Sequence, residues 1–184
     1  IQSSNPGFIR LWFGYYFGVF AGLLAIGRAV PIIKTIGGSA TIAITSITLM
    51  SLGSGLAGIY SGFLADRFGC KNPLILILMT SALSLAILTI FINVKLTLFL
   101  IILVATLYGA IIAIYPTLVA KLFGLEKSAW AYGRIFTAWG FAGLTAPSIA
   151  GFFYDHSDNY SSSLLLAAVL ATLAALIIWR LPSK

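Results

Sequence analysis

Six apolar stretches run along the chain, separated by short polar breaks. They fall at about residues 8–30, 40–65, 73–94, 96–120, 128–153 and 161–180, each near the ~20 residues needed to cross ~30 Å of hydrocarbon. Within lipid every backbone N–H and C=O must find a partner inside its own segment, so these stretches are helices. The pattern predicts an all-α bundle of six transmembrane helices with short loops over residues 8–184. Before it, Ile1–Gly7 is polar and carries Pro6 and Gly7. That stretch reads as the end of a linker, and the chain is expected to be a piece of a longer protein.

Composition sharpens this picture. Charged residues make up 8% of the chain and hydrophobic residues 60%, and the mean hydropathy is +1.07. A soluble domain is about a quarter charged, so this chain has too few charges to cover a water-facing surface. The net charge of +7 does not point to nucleic acid, because the basic residues are scattered at span ends. One cysteine rules out a disulfide scaffold or a cysteine-based metal site. Arg10, Arg67, Lys71, Lys121, Lys127, Arg134, Arg180 and Lys184 fall on one side of the six spans, and Arg28, Lys34 and Lys95 on the other. The excess marks the first side as cytoplasmic. Both termini are then expected in the cytoplasm of a cell-membrane protein, with Asp155, His156 and Asp158 outside.

The spans divide into two triplets, 8–94 and 96–180, the second inverted relative to the first because each contains an odd number. Inverted three-helix repeats build each half of many secondary transporters. No sequence repeat accompanies the division. Small residues mark expected helix contacts: Gly14, Gly18 and Gly22 in the first span, Ser54, Gly58 and Gly62 in the second, Gly143, Pro147 and Gly151 in the fifth. Positions four apart share a helix face, and in lipid such stripes let backbones approach closely. Gly27 with Pro31, and Gly109 with Pro116, predict bends in the leading spans of the two triplets.

The densest charge in the chain is Gly62-Phe63-Leu64-Ala65-Asp66-Arg67-Phe68-Gly69-Cys70-Lys71, between the second and third spans. Asp66 is unfavourable at a helix C-terminus, where the macrodipole is negative, unless Arg67, Lys71 or a facing helix N-terminus offsets it. Gly69 suits a left-handed turn. The run resembles the loop signature of the major facilitator superfamily, G-x-L-[AS]-D-[RK]-x-G-[RK]-[RK]. Gly62, Leu64, Ala65, Asp66, Arg67, Gly69 and Lys71 match, and Cys70 stands where a basic residue is usual. The resemblance implies the C-terminal six-helix half of a transporter, partnered by a missing N-terminal half. Asp66 would help latch the two together.

The outer spans look like one branch of that superfamily, the oxalate/formate antiporter family. Its eleventh helix is similar to Tyr132-Gly133-Arg134-Ile135-Phe136-Thr137-Ala138-Trp139-Gly140-Phe141-Ala142-Gly143 with Pro147. Its tenth is similar to Tyr108-Gly109 through Tyr115-Pro116, and the end of its seventh to Gly27-Arg28-Ala29-Val30-Pro31. The resemblance implies transport of small carboxylates. Two cations hold the family's oxalate dianion, and their positions fall at Gly58 and Trp139, so a monocarboxylate fits better here. The expected solute pathway is Tyr15, Arg28, Tyr108, Tyr115, Arg134 and Trp139. Tyr108 and Trp139 rank first because they fall on family positions that line the cavity. Arg28 is read either as a ligand contact or as a side chain snorkelling to the outer interface.

Catalytic readings find little. The only histidine, His156, sits in a polar outer segment, no zinc motif occurs, and no Gly-rich loop is followed by Lys-Ser/Thr to hold ATP. No cofactor is expected, and coupling would come from gradients or solute exchange. The competing reading is a six-span scaffold or complex subunit without transport activity.

Overall fold

The structure, a computed structural model, describes residues 6–91 and 93–181. Ile1–Asn5 of the expected linker, and Lys184 of the expected cytoplasmic side, lie outside the described residues. Among those described, seven helices make six spans: α1 Pro6–Thr35, α2 Ala40–Phe68, α3 Lys71–Ile90, α4 Val94–Phe123, α5 Leu125–Ile135 with α6 Thr137–Ser157, and α7 Ser161–Trp179. Each span is long and apolar enough to cross a membrane. The chain is a multi-pass membrane protein.

Four of the six spans overrun the apolar stretches, while α3 ends at Ile90 and α7 at Trp179, short of the predicted 94 and 180. Polar residues at their ends are caps and first or last turns rather than loops. Ser39 accepts a hydrogen bond from the Ile42 amide and starts α2. Asn93 accepts from the amides of Lys95 and Leu96 and starts α4. Such caps satisfy amides that have no intrahelical partner. At the opposite ends, α2 stops at Gly69 (φ 78°) and α4 at Gly124 (φ 79°). The expected left-handed turn at Gly69 is therefore present in φ, while its ψ of 171° makes it a more extended corner.

Packing reveals the repeat that the sequence hides. Exchanging α1 with α4, α2 with α5–α6, and α3 with α7 maps the neighbours onto one another. Thus α1 packs on α6 as α4 packs on α2, and α1 packs on α7 as α4 packs on α3. The pairs α1–α4 and α3–α7 map onto themselves. Alanines of α7, among them Ala167, Ala171 and Ala174, are wholly buried. Their small side chains let α3 approach through Leu78 and Leu85.

The glycine stripes divide sharply. In α1 all three positions are filled from outside. A methyl group on Gly14 would meet the Tyr115 hydroxyl and Ile178 at 3.0 Å, and one on Gly18 would meet Leu78 at 2.9 Å. One on Gly22 would run into the Tyr108 ring. Gly109 of α4 lies against the backbone of Ser54 of α2. In contrast, Gly58, Gly62 and Gly143 have no neighbour within 4 Å of a built Cβ. The expectation that these three bring helices together is corrected within this unit. Their faces are uncovered: 17% of the most apolar window of α2 is buried, against 56% for α1. Pro31, Pro116 and Pro147 sit inside α1, α4 and α6, which continue through them.

This contrast predicts opposite outcomes for the same mutation. Gly109→Ala should destabilise the purified protein in detergent by about 1–3 kcal/mol, as overpacking does. Gly62→Ala should leave the melting temperature of the six-helix unit unchanged. Thermal unfolding of the two variants side by side checks this.

Candidate functional site

Four of the predicted pathway residues, Tyr15, Tyr108, Tyr115 and Trp139, lie where α1, α4, α5 and α6 meet. Tyr15 of α1 and Tyr115 of α4 are wholly buried, with ring centroids 4.3 Å apart. The Tyr115 hydroxyl donates to the Leu11 carbonyl at 3.0 Å, and the Tyr15 hydroxyl faces that of Tyr132 at 3.5 Å. These two tyrosines serve the α1–α4 contact and present no open surface. Tyr108 and Trp139 are half-buried and joined, the indole N–H donating to the Tyr108 hydroxyl at 2.7 Å. Tyr108 accepts there and keeps its own O–H hydrogen for another partner. Phe136 stacks on Trp139 at 5.4 Å, which widens the aromatic wall towards Tyr15.

A break in the fifth span gives that wall its shape, and the sequence reading did not foresee it. The predicted single helix over 128–153 begins at Leu125 and is interrupted at Phe136. There the Trp139 amide bonds the Phe136 carbonyl, a tightened i→i+3 turn. No proline or glycine occupies position 136. At the break the Thr137 hydroxyl donates back to the Arg134 carbonyl at 2.7 Å. Back-bonding of this kind bends helices. The same hydroxyl accepts the Trp12 indole N–H at 3.0 Å, which fixes the break to α1. Further out, the Tyr16 hydroxyl meets that of Thr145 at 2.8 Å.

Arg28 extends across to α6. Because α1 runs on to Thr35, Arg28 lies seven residues inside the helix end, about 10 Å along its axis. It is half-buried, and its Nη2 donates to the Pro147 carbonyl of α6 at 2.8 Å. Gly151 leaves room for the guanidinium, since a methyl group there would lie 3.1 Å from Nη2. Its Nε is buried without a hydrogen-bond partner, and no carboxylate pairs with the side chain among the described residues. An orphaned buried donor costs about 1–3 kcal/mol. Tyr160, stacked on Tyr154 at 4.6 Å, lies within reach: burial raises its phenol pKa and Arg28 opposes that rise. Tyr160 also lines a pocket of about 200 Å³ at this end of the bundle, with Thr35, Thr97, Asp158 and Asn159.

Arg134 lies towards the opposite end, exposed and stacked over the Trp130 ring at 3.9 Å. It is not brought next to Tyr108 or Trp139 by any described contact. Gly58, the other family cation position, faces open space.

The loop motif is held by carbonyl contacts. Lys71 donates to the Leu181 carbonyl beyond α7 at 2.6 Å, and Lys121 of α4 donates to the Ala65 carbonyl of α2 at 3.2 Å. Arg67 lies over the Phe68 ring at 5.6 Å. Asp66 is exposed and forms no ion pair with Arg67 or Lys71 among the described residues. Lys71 is instead committed to α7. Cys70 is buried, which raises its thiol pKa, and Lys121 beside it works in the other direction. Lys121 thereby brings a positive charge next to the position where the signature usually has one.

An all-helical unit of six spans with inverted triplets is the architecture of half a membrane transporter. The chain belongs to the Major Facilitator Superfamily, whose family model matches residues 11–184. That family comprises transporters, not enzymes. The chain is 28% identical to chicken "Monocarboxylate transporter 9" over 143 residues, covering 73% of this chain and 28% of that protein. It is 30% identical to Arabidopsis thaliana "Protein ZINC INDUCED FACILITATOR 1" over 112 residues, covering 59% of this chain and 22% of that protein. The matched stretch thus spans less than a third of either relative.

Thr137 offers a direct test of the break. Thr137→Val removes both the bond to Arg134 and the acceptor for Trp12, and should cost about 1–2 kcal/mol. Thr137→Ser should restore wild-type stability, measured as the thermal transition in detergent.

Proposed function

We propose that this chain is the C-terminal half of a secondary transporter that moves a small monocarboxylate or related organic anion by alternating access. In this reading it works as a symporter or antiporter in the cell membrane, with both ends in the cytoplasm. It rocks against an N-terminal six-helix half seated on the uncovered faces of α2 and α6. Open glycines support that partner, because Gly58, Gly62 and Gly143 offer close approach to nothing within this unit. Asp66, exposed and unpaired beside Arg67, is then free to latch the other half.

The observation that carries the substrate reading is the distribution of positive charge. Arg28 is bound to a carbonyl in the interior of α6, whereas Lys71 and Lys121 take carbonyls at or beyond helix ends. Arg134 is exposed towards the other end, and between them stand the neutral Tyr108 and Trp139. A charge in a low-dielectric cavity needs a partner, and one cation matches one carboxylate. The name of the chicken relative supports the same class. In the full-length protein, lactate and formate should displace a labelled monocarboxylate better than oxalate does. Trp139→Lys combined with Gly58→Arg should shift preference towards oxalate about tenfold, the scale of one charge-assisted pair at ~1.5–3 kcal/mol. Oxalate competing best in the unmodified protein overturns the substrate reading.

A further inference from the structure

We propose that Arg28 is both the carboxylate-docking residue and the outer latch of this half, with the Pro147 carbonyl holding one of the two positions that a carboxylate would take. The proposal rests on the monocarboxylate reading above. Arg28 has a buried Nε with no partner, while Nη2 is bound to a carbonyl of α6. Nε and Nη2 lie on one edge of the guanidinium, the edge that takes a carboxylate through two parallel hydrogen bonds. A carbonyl oxygen fills only one of those two positions. An incoming carboxylate fills both, brings the negative charge that the site lacks, and competes with Pro147 for Nη2.

What the carbonyl gives up, α6 loses as an attachment. Arg28 is the outermost of three side-chain bonds between α1 and α6, after Trp12–Thr137 and Tyr16–Thr145. The inner two join neutral groups that a carboxylate has less reason to displace. Anion binding therefore frees α6 around Pro147 while its inner part stays attached. Pro147 supplies no N–H to its own helix, so the ladder is already weakest there. Gly27, next to Arg28, faces the Pro147 ring, which a methyl group on Gly27 would meet at 4.0 Å, so the separation falls directly beside the bound solute. Tyr160, which feels the Arg28 charge, also lines the pocket of about 200 Å³ at the same end.

The test uses the full-length transporter with L-lactate as the probe. Arg28→Lys keeps the charge but loses the two-pronged edge, and should raise the KM for lactate at least tenfold. Arg28→Gln should abolish saturable uptake. For the latch, the buried Ala150 is replaced, Ala150→Cys, in a Cys70→Ser background, and maleimide labelling is followed in detergent. Lactate should speed labelling several-fold in the Arg28 protein. Arg28→Gln should label fast with or without lactate, and Arg28→Lys should lose the lactate response. Unchanged lactate KM in Arg28→Lys, or labelling indifferent to lactate in the Arg28 protein, overturns the proposal while leaving monocarboxylate transport standing. Absence of monocarboxylate uptake or displacement by the unmodified protein overturns the functional reading itself.

Discussion

Three cations, Arg28, Lys71 and Lys121, tie the helices together through backbone carbonyls. The chain has 11 lysines and arginines against 4 acidic residues, so carboxylates cannot serve as general partners. Helices leave their last carbonyls without intrahelical donors, at the end where the macrodipole is negative. Lys121 takes the Ala65 carbonyl near the end of α2 and Lys71 takes the Leu181 carbonyl beyond α7. Each bond joins a helix of one triplet to the other triplet, so this end of the bundle is fastened by charge meeting backbone. Arg28 follows the same rule in the interior of α6 instead of at its end. A carbonyl that already serves its own helix is a weaker partner, and that difference separates a structural clasp from a group that can be displaced.

The spans were legible because lipid imposes one demand on every segment, and composition answers it directly. Their ends were not, because capping depends on single side chains such as Ser39 and Asn93. Polar residues at those positions look like loop until the amides they serve are seen. The break at Phe136 left only a faint trace. Threonine inside an apolar span is common, and nothing local distinguishes Thr137 from Thr145, which bonds back to Phe141 in a continuous helix. What differs is the Trp12 indole on the far helix, 125 positions away in sequence. The inverted repeat was likewise readable only as span number, since it resides in which helices touch and not in which residues recur.

The candidate site was half legible. Tyr108 and Trp139 were singled out by resemblance and are bonded to each other. Tyr15 and Tyr115 lie close by, yet as packing. Aromatic residues in a membrane helix carry the same signature whether they face a cavity or a neighbour, so only burial separates them. Arg28 shows in the sequence only as a charge near the end of a span, because its partner, the Pro147 carbonyl, lies 119 positions away. Stripes of small residues told where close approach is possible. They did not tell which of those approaches this unit makes alone.

Tyr108 and Tyr115 project from α4 seven positions apart and seat at Gly22 and Gly14 of α1. They work as two cogs in two notches. A cogged pair can tilt about the line of teeth with little change in contact, but it cannot slide lengthwise without lifting both rings over the adjoining side chains. Any large movement of the bundle that keeps α1 and α4 engaged is therefore a rotation and not a piston stroke. Two glycines thus choose the geometry of motion for both triplets, although neither touches the charged groups at the ends.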